Sequence, residues 1–478
     1  MEKSLRTSLI ELKNNSTGNE PIFFDHTFYE ELISYLDNED PKVRKNSALL
    51  IGMYSFDDVV SVLLKGYNKE EKEFVKDAYL KGCLEHNCKP YIEEFEKIQK
   101  ELMNNDHEEH AKHVQSQLKI VNQIILKNKK IHPKMIKMQH HYIDVILTTI
   151  PWYQYTLFED IHKTIYKPVG QGVLVRSTSL MELKELRNYE EMLIPLSHCA
   201  NMAIDDEIIV ESINHSSLKD LLGFLYDSDE PFYFKVEDRL KKKNNVLINK
   251  VATGLSISNP SFLLNSPHYY EILIVLKELR SDTVNAYLKL PDIENRRFTY
   301  RKEATAFSLK PFVAATLMKL AAPYLIDYAR VLDPFCGSGT LLIERYKAKN
   351  VRFMIGIDTY KEAIDIAKKN ASRAKAKINF INKDALRFVN NEDFDEIFTD
   401  MPTREQMSDH DSLTNLYDRF FKRIPRLVKH GGYVMIYTSE LNLVRKNLRL
   451  HHNILSLLEH FELIRERRKY YFFIIKVR

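Results

Sequence analysis

At 478 residues the chain is long enough for two or three domains. Its 44% hydrophobic and 28% charged content is ordinary for a soluble globular protein, and 13 Gly with 16 Pro argue against long disordered linkers. Lys+Arg 70 against Asp+Glu 66 leaves only +4, so any surface for a polyanion must be local, and four cysteines make no disulfide framework and point to a reducing compartment, the cytoplasm.

Residues 1–20 are polar and expected to be partly frayed. The opening Met1 to Arg6 has no apolar h-region, so no signal peptide is expected, and no uninterrupted apolar run approaches a membrane span. From about 26 to 150 the spacing of apolar residues is helical. Leu32-Ile33, Leu36, Asp40-Pro41, Val43-Arg44, Ala48-Leu49 and Gly52 resemble one HEAT repeat, two antiparallel helices with Pro41 at the first position of the second. Val43 and Ala48 are expected to face the partner helix, and a second unit is expected from Val59 to Cys83. Isolated repeats cannot bury their own faces, which predicts a short helical array docked on the rest. It is either a docking surface for a protein partner or RNA, or a cap that only stabilises. Cys83 and Cys88 bracket His86, but the spacing fits no zinc pattern and lacks a second ligand pair, so they are read as ordinary helix residues and no metal is expected.

Pro151, Trp152 and Gly170 mark a boundary at about 150–170. Gly172 to Arg176 reads as a strand, Leu180 to Leu193 as a helix and Pro231 to Val236 as an alternating strand. Lys241 to Leu255 reads as a helix, and Tyr270 to Leu276 and Val284 to Leu290 as strands. That order, with Asn265-Ser266-Pro267 ahead of the third run, is similar to the RNA-binding half of a THUMP domain. Arg239, Lys241, Lys242 and Lys243 form a basic cluster at the start of the expected helix. A solvated face is the default for such a run, and a contact from Lys241 and Lys242 to RNA phosphates is the functional alternative.

Lys310 to Leu325 reads as a long apolar helix, leading to the mostly apolar run Tyr328 to Leu332. The run enters the turn Asp333-Pro-Phe-Cys-Gly-Ser-Gly-Thr340, and a helical pattern leaves it. This is the strand–turn–helix start of a doubly wound sheet, where a nucleotide-like ligand sits beyond the strand's carboxyl end. Gly337 and Gly339 let bare backbone approach a ligand. A pyrophosphate wants amide donors and no adjacent anion, whereas Asp333 at the strand end suits a ligand with a cationic or amine-bearing part. Phe353 to Asp358 is a second strand ending in a carboxylate, suited to the two hydroxyls of a ribose. Ile378 to Ala385 ends in Asp384-Ala385, where a carboxylate can accept an adenine amine, and Glu396 to Asp400 runs into Met401-Pro402-Thr403. Four strands each ending in Asp on one edge describe a site for an adenosine with a charged substituent, and S-adenosylmethionine fits. Leu413 to Val428 reads as a helix, His430-Gly431-Gly432 as a turn and Tyr433 to Tyr437 as a strand. With Phe461 to Arg465 and Tyr470 to Val477 this order predicts seven strands, the last antiparallel. The Arg465 to Lys469 connection is not assigned to the ligand edge.

Asp333 to Thr340 resembles the first motif of the RNA methyltransferases that carry a THUMP domain. Ser308-Leu309-Lys310-Pro311 with Ala314-Ala315 resembles the segment before it, and Thr399-Asp400-Met401-Pro402 the catalytic Asp-(Met/Pro)-Pro-aromatic motif, in particular of tRNA guanine-N2 methyltransferases. The resemblance covers about 295–478, extends by pattern over about 150–295 and does not reach the N-terminus. It implies an α/β architecture: a Rossmann-like seven-stranded methyltransferase domain at 296–478, preceded by a THUMP-like α+β RNA-binding domain at 151–295 and a HEAT-like helical region at 1–150. It also implies S-adenosylmethionine bound by Ser308, Asp333, Phe335, Cys336, Gly337, Ser338, Gly339, Thr340, Asp358, Asp384 and Ala385. Methyl transfer to a guanosine N2 in tRNA or rRNA would then fall to Asp400, Met401, Pro402 and Thr403.

Methyl transfer from a sulfonium is an in-line displacement, in which the protein mainly brings donor and acceptor together. An exocyclic amine conjugated into its ring becomes nucleophilic if its N–H groups are held by Asp400 and a backbone carbonyl near Met401. Pro402 fixes φ and removes an amide donor, leaving carbonyls to face the acceptor. Cys336, inside the turn, is read as packing rather than as a nucleophile. The departure is Thr403, where the family places an aromatic that stacks on the flipped base, worth roughly 1–3 kcal/mol. The flat guanidinium of Arg404 is a substitute platform. The same departure feeds a second reading, a noncatalytic scaffold that binds RNA and cofactor. A DNA amino-methyltransferase shares the chemistry but is not expected to carry the 150–295 region.

Overall fold

The computed structural model describes residues 5–15, 26–104, 111–128, 134–137, 141–161, 164–170, 172–266, 269–280, 282–291, 297–390, 392–407, 409–465 and 468–478. The expectations for residues 1–4 and 16–20, for Pro267 and for Glu466 and Arg467 lie outside them, whereas Leu5–Asn15, within the stretch expected to be partly frayed, is a helix with Leu9 buried. The chain divides into two compact units, 1–138 with 195–289 and 139–194 with 290–478. The helical N-terminal segment shares its unit with the strands after 195, and residues 139–194 share theirs with the C-terminal segment.

In the first unit, helices Pro41–Ile51, Val59–Lys69, Glu73–Cys83, Ile92–Asn104 and Ala111–Asn128 follow His26–Ser34. Asp40 caps the first of these through its side chain on the Lys42 amide, with Pro41 in the first turn. Val43 and Ala48 are buried, as are Leu32, Leu63, Tyr79, Phe95 and Val121. Helices Pro41–Ile51 and Glu73–Cys83 pack closely at Gly52, where an added Cβ would lie 2.4 Å from the Gly82 Cα. The thiols of Cys83 and Cys88 donate to the carbonyls of Tyr79 and Cys83, and burial pushes Cys88 up to about 11. They are inert packing residues, and the described residues hold no cluster of metal-ligating side chains.

In the same unit Phe232–Arg239 pairs in parallel with Leu263–Asn265 and with Ile272–Arg280, which turns antiparallel into Thr283–Lys289. The helix expected from Lys241 spans Asn245–Ser258 instead, because the Asn244 side chain accepts the Leu247 amide and sets the start there. Lys241 lies outside the helix, its Nζ 2.9 Å from Glu278.

In the second unit Ile143–Thr148, Ile165–Val169, Gly172–Ser177 and Met192–Pro195 form an antiparallel sheet. The helix expected over Leu180 to Leu193 is a single turn, Leu180–Leu183, capped by Ser179. Met192, Leu193 and Ile194 instead enter the sheet, where all three are buried. A short apolar run serves a strand as well as a helix, and here the sheet partner decides.

The remainder of this unit is a seven-stranded sheet. Its strands are β1 (Ala329–Asp333), β2 (Val351–Asp358), β3 (Asn379–Asn382), β4 (Phe394–Asp400), β5 (Val428–Thr438), β6 (Leu455–Arg465) and β7 (Arg468–Val477), in the order β3-β2-β1-β4-β5-β7-β6. β1 to β5 are parallel, and β7 runs antiparallel between β5 and β6. Helices α1 (Pro311–Ala321), α2 (Thr340–Ala348), α3 (Lys361–Arg373), α4 (His410–Leu427) and α5 (Leu441–Leu450) accompany the strands. β1 and β4 are buried almost throughout, as a parallel sheet covered on both faces requires. The strand order reverses between β1 and β4, which opens a crevice beyond their carboxyl ends. Beneath it Arg345 and Glu396, both with fully buried side chains, form a two-pronged ion pair at 2.8 and 3.1 Å.

Candidate active site

β1 delivers Asp333 to the sheet edge with 1% of its surface exposed. Its Oδ1 accepts the Thr399 hydroxyl at 2.7 Å and the Phe335 amide at 3.1 Å. Burial pushes this carboxyl up to about 8, with Asp400 and Asp358 raising it further and the two hydrogen bonds holding it down. The chain then turns sharply: the Cys336 amide donates to the Ile357 carbonyl, and Gly339 caps α2 at φ +78°. An added Cβ on Gly339 would meet Phe380 at 2.9 Å. Gly337 also has a positive φ, +50°, but an added Cβ there would find nothing within 4 Å, so the turn is bare on the side that faces the crevice.

β2 brings Asp358 against that turn. Its Oδ2 accepts the Gly337 amide at 2.9 Å and its Oδ1 the Tyr360 amide at 2.9 Å. Each carboxylate oxygen can accept a further donor. Beyond β3, Asp384 caps a short turn by accepting the Leu386 amide at 2.8 Å, and its other oxygen lies 3.6 Å from Arg387.

β4 ends in Asp400. Burial pushes its carboxyl up to about 7, and the charge of Arg465 pulls it back. The Met401 amide donates to the Tyr437 carbonyl at 2.9 Å, which orients the following loop. The Pro402 carbonyl accepts the Tyr417 hydroxyl at 3.0 Å, so it is already engaged within the protein. Thr403 closes a turn with Gln406, whose side chain accepts the Thr403 amide at 2.9 Å.

These tips surround one cavity of about 810 Å³. Of the residues singled out in the sequence, Ser308, Asp333, Phe335, Cys336, Gly337, Ser338, Thr340, Asp358, Asp384, Ala385, Asp400 and Pro402 line it. Cys336 is buried, and burial holds its thiol well above the ordinary range, as a packing residue requires. Gly339 shapes the turn from behind, and Met401 is buried with 1% exposure. Arg404 is turned to Glu440, 3.4 Å from its carboxylate, and to His410 at 3.1 Å. Its side chain stays 61% exposed and is not among the residues that line the cavity. Lys241 and Lys242 belong to the other unit.

The cavity has walls that the sequence did not announce. Phe307 and Tyr360 line it while remaining 54% and 56% exposed, two large rings at its margin. Adjacency to Ser308 and Asp358 was the available signal. Met407, Leu416 and Gln406 complete the Asp400 end. Arg465, too, reaches the Asp400 edge, because the β6–β7 hairpin returns to it. A buried acid at the floor, an acid able to take two hydroxyls, exposed rings and a bare glycine turn fit a nucleoside carrying a cationic group.

Residues 299–455 match the family model described as RMKL-like, methyltransferase domain. Among solved structures, TrmN from Thermus thermophilus is similar, at 18% identity and a TM-score of 0.51, over 71% of this chain and 100% of that one. SMU.472, a candidate methyltransferase complexed with SAH, is 14% identical with a TM-score of 0.54, over 71% of this chain and 99% of its own. A predicted N6-adenine-specific DNA methylase from Listeria monocytogenes is 16% identical with a TM-score of 0.50, over 69% and 96%. At these identities the likeness is one of fold. The C-terminal stretch is a methyltransferase domain.

Proposed function

We propose that the chain is an S-adenosylmethionine-dependent RNA methyltransferase acting on an exocyclic amine, the N2 of a guanosine in tRNA or rRNA. The observation that carries this reading is the convergence of Asp333, Asp358, Asp384 and Asp400 on one cavity in a domain that matches a methyltransferase family. Bound there, S-adenosylmethionine supplies an activated methyl group. In this reading Asp358 takes the ribose hydroxyls and Asp384 with Ala385 the adenine edge. Asp333 faces the positive end, where its ionised form is favoured over the neutral one. Asp400 accepts the N–H of the acceptor amine, keeps its lone pair out of conjugation and takes up the proton released as the new bond forms. Phe307 and Tyr360 exclude water from the margin.

RNA as the acceptor rests on the resemblance of the motifs and on the strand–helix order of 151–295, which supports an RNA-binding role there. The helical residues before it are proposed as a surface for a protein partner, and the cytoplasm as the place of action. A second reading, a noncatalytic RNA- and cofactor-binding scaffold, is favoured by one observation: Thr403 stands where the resembling family places an aromatic. The deciding measurement is transfer of labelled methyl from S-adenosylmethionine to unmodified tRNA and rRNA. Transfer lost in Asp400→Ala supports the enzyme; cofactor binding by calorimetry without transfer to any RNA supports the scaffold.

A further inference from the structure

We propose that Arg465 is a positioning residue for the acceptor end of the site: anchored on the Tyr437 hydroxyl, it holds a fixed positive charge beside Asp400 and keeps that carboxylate in its accepting form. This rests on the reading of Asp400 given above.

The topology brings the two together. Because β7 is antiparallel, the β6–β7 hairpin turns at the carboxyl edge of β5, the edge on which Asp400 lies. Asp400 is in register with Tyr437 across the β4–β5 pair, and Tyr437 with Phe472 across β5–β7. Arg465 faces Arg468 at the hairpin end. Its Nη1 donates to the Tyr437 hydroxyl at 3.0 Å, and its guanidinium carbon stands 5.3 Å from the centre of the Tyr470 ring. The Tyr437 and Tyr470 rings are themselves stacked, 5.3 Å apart and 8° from parallel. A guanidinium held by a hydrogen bond on one side and a ring on another is a preorganised charge rather than a mobile one. Arg468, from the same hairpin, is paired with Glu405 in the loop that follows Pro402.

Asp400 needs such a neighbour. Burial pushes its carboxyl up and the charge of Arg465 pulls it back, while the Asp400 charge itself raises Asp333 from β1, Tyr417 from α4 and Tyr437 from β5.

The test compares wild type, Arg465→Met and Arg465→Lys in single-turnover methyl transfer to RNA across pH. In parallel, the carboxyl carbon of Asp400 is titrated by NMR in aspartate-labelled protein without cofactor, its resonance identified by loss in Asp400→Asn. Arg465→Met is expected to move the acid limb of the rate, and the Asp400 resonance, to higher pH by about one unit, an ordinary shift for losing a nearby opposite charge. Arg465→Lys is expected to return most of it, and the rate of Arg465→Met at high pH to approach wild type. An unmoved Asp400 titration in Arg465→Met, or a loss of rate equal at every pH without rescue by Lys, overturns the proposal. Undiminished transfer by Asp400→Ala overturns the underlying reading instead, and the NMR titration still decides whether Arg465 governs the Asp400 charge.

Discussion

The hydroxyl of Thr399 donates to Oδ1 of Asp333 across 2.7 Å, tying the tip of β4 to the tip of β1 where the strand order reverses. The bond is buried on both sides, since Thr399 and Asp333 are 0% and 1% exposed. One residue further on, β4 ends in Asp400. The two ends of the proposed reaction, cofactor and acceptor, therefore share a hydrogen bond, and a change at one is felt at the other.

Thr399→Val removes that donor while keeping the shape. A hydrogen bond to a buried charged group contributes about 1.5–3 kcal/mol, so S-adenosylmethionine affinity at neutral pH is expected to fall about tenfold or more. Calorimetry on the variant measures this directly, and an unchanged Kd would show that Asp333 does not face the bound ligand's positive end.

Burial holds the Asp333 carboxyl up to about 8, so much of it is protonated in the free protein at neutral pH. A cation placed beside it favours the ionised form and lowers that value. Binding at pH 7 is thus expected to release a proton, and affinity to rise as pH climbs toward 8. Binding heats measured in buffers of different protonation enthalpy reveal the release; heats independent of the buffer contradict it.

Asp400, pushed up to about 7 by burial, ties stability to pH with a definite sign. Its folded value lies above the unfolded value of about 3.9, so the folded state binds the proton more tightly. Its favourable contribution is complete below about pH 4 and is lost as pH rises through about 7. Asp400→Asn is expected to melt higher than wild type, by a margin that widens from about pH 4 to about pH 7 and levels off above it, while losing methyl transfer. A margin constant with pH would place the carboxylate in water.

The two glycines of the turn should respond differently to alanine. At Gly339 the added Cβ meets Phe380 at 2.9 Å on a backbone at φ +78°, so Gly339→Ala is expected to lower Tm. At Gly337 the added methyl enters open space, leaving only the cost of a left-handed alanine, about 1 kcal/mol. Gly337→Ala should therefore fold and instead lose cofactor affinity, because its methyl projects into the crevice. Thermal melts paired with calorimetry separate the two, and equal affinity in Gly337→Ala and wild type would mean that no ligand approaches there.

Arg345→Met leaves Glu396 charged, fully buried and without its partner. Breaking a buried pair from one side costs about 3–5 kcal/mol, which urea unfolding of the variant can read. A loss below about 1 kcal/mol would indicate that water reaches the pair.

The amino-acid sequence determined the strand tips. Apolar runs ending in Asp333, Asp358 and Asp400 have local causes, namely burial in a parallel sheet and a polar residue where the strand leaves it; Asp384 follows the mostly unburied strand Asn379–Asn382, and all four line one cavity. Periodicity likewise located the paired helices around Pro41 and the last strand pair, although the strand expected from Phe461 already begins at Leu455. It misjudged Leu180 to Leu193 and the helix start at Lys241, where a sheet partner for Met192 and a cap at Asn244 outweigh apolar spacing. What only the tertiary structure decided is which distant groups meet those tips. Thr399 reaches Asp333, Phe307 lines the same cavity as Tyr360, and Arg404 pairs with Glu440. Arg465 arrives at the Asp400 edge because β7 inserts antiparallel between β5 and β6. Local pattern fixes how a strand ends, but the charge that governs its last residue comes from chain far away in sequence, and electrostatics acts through distance in space.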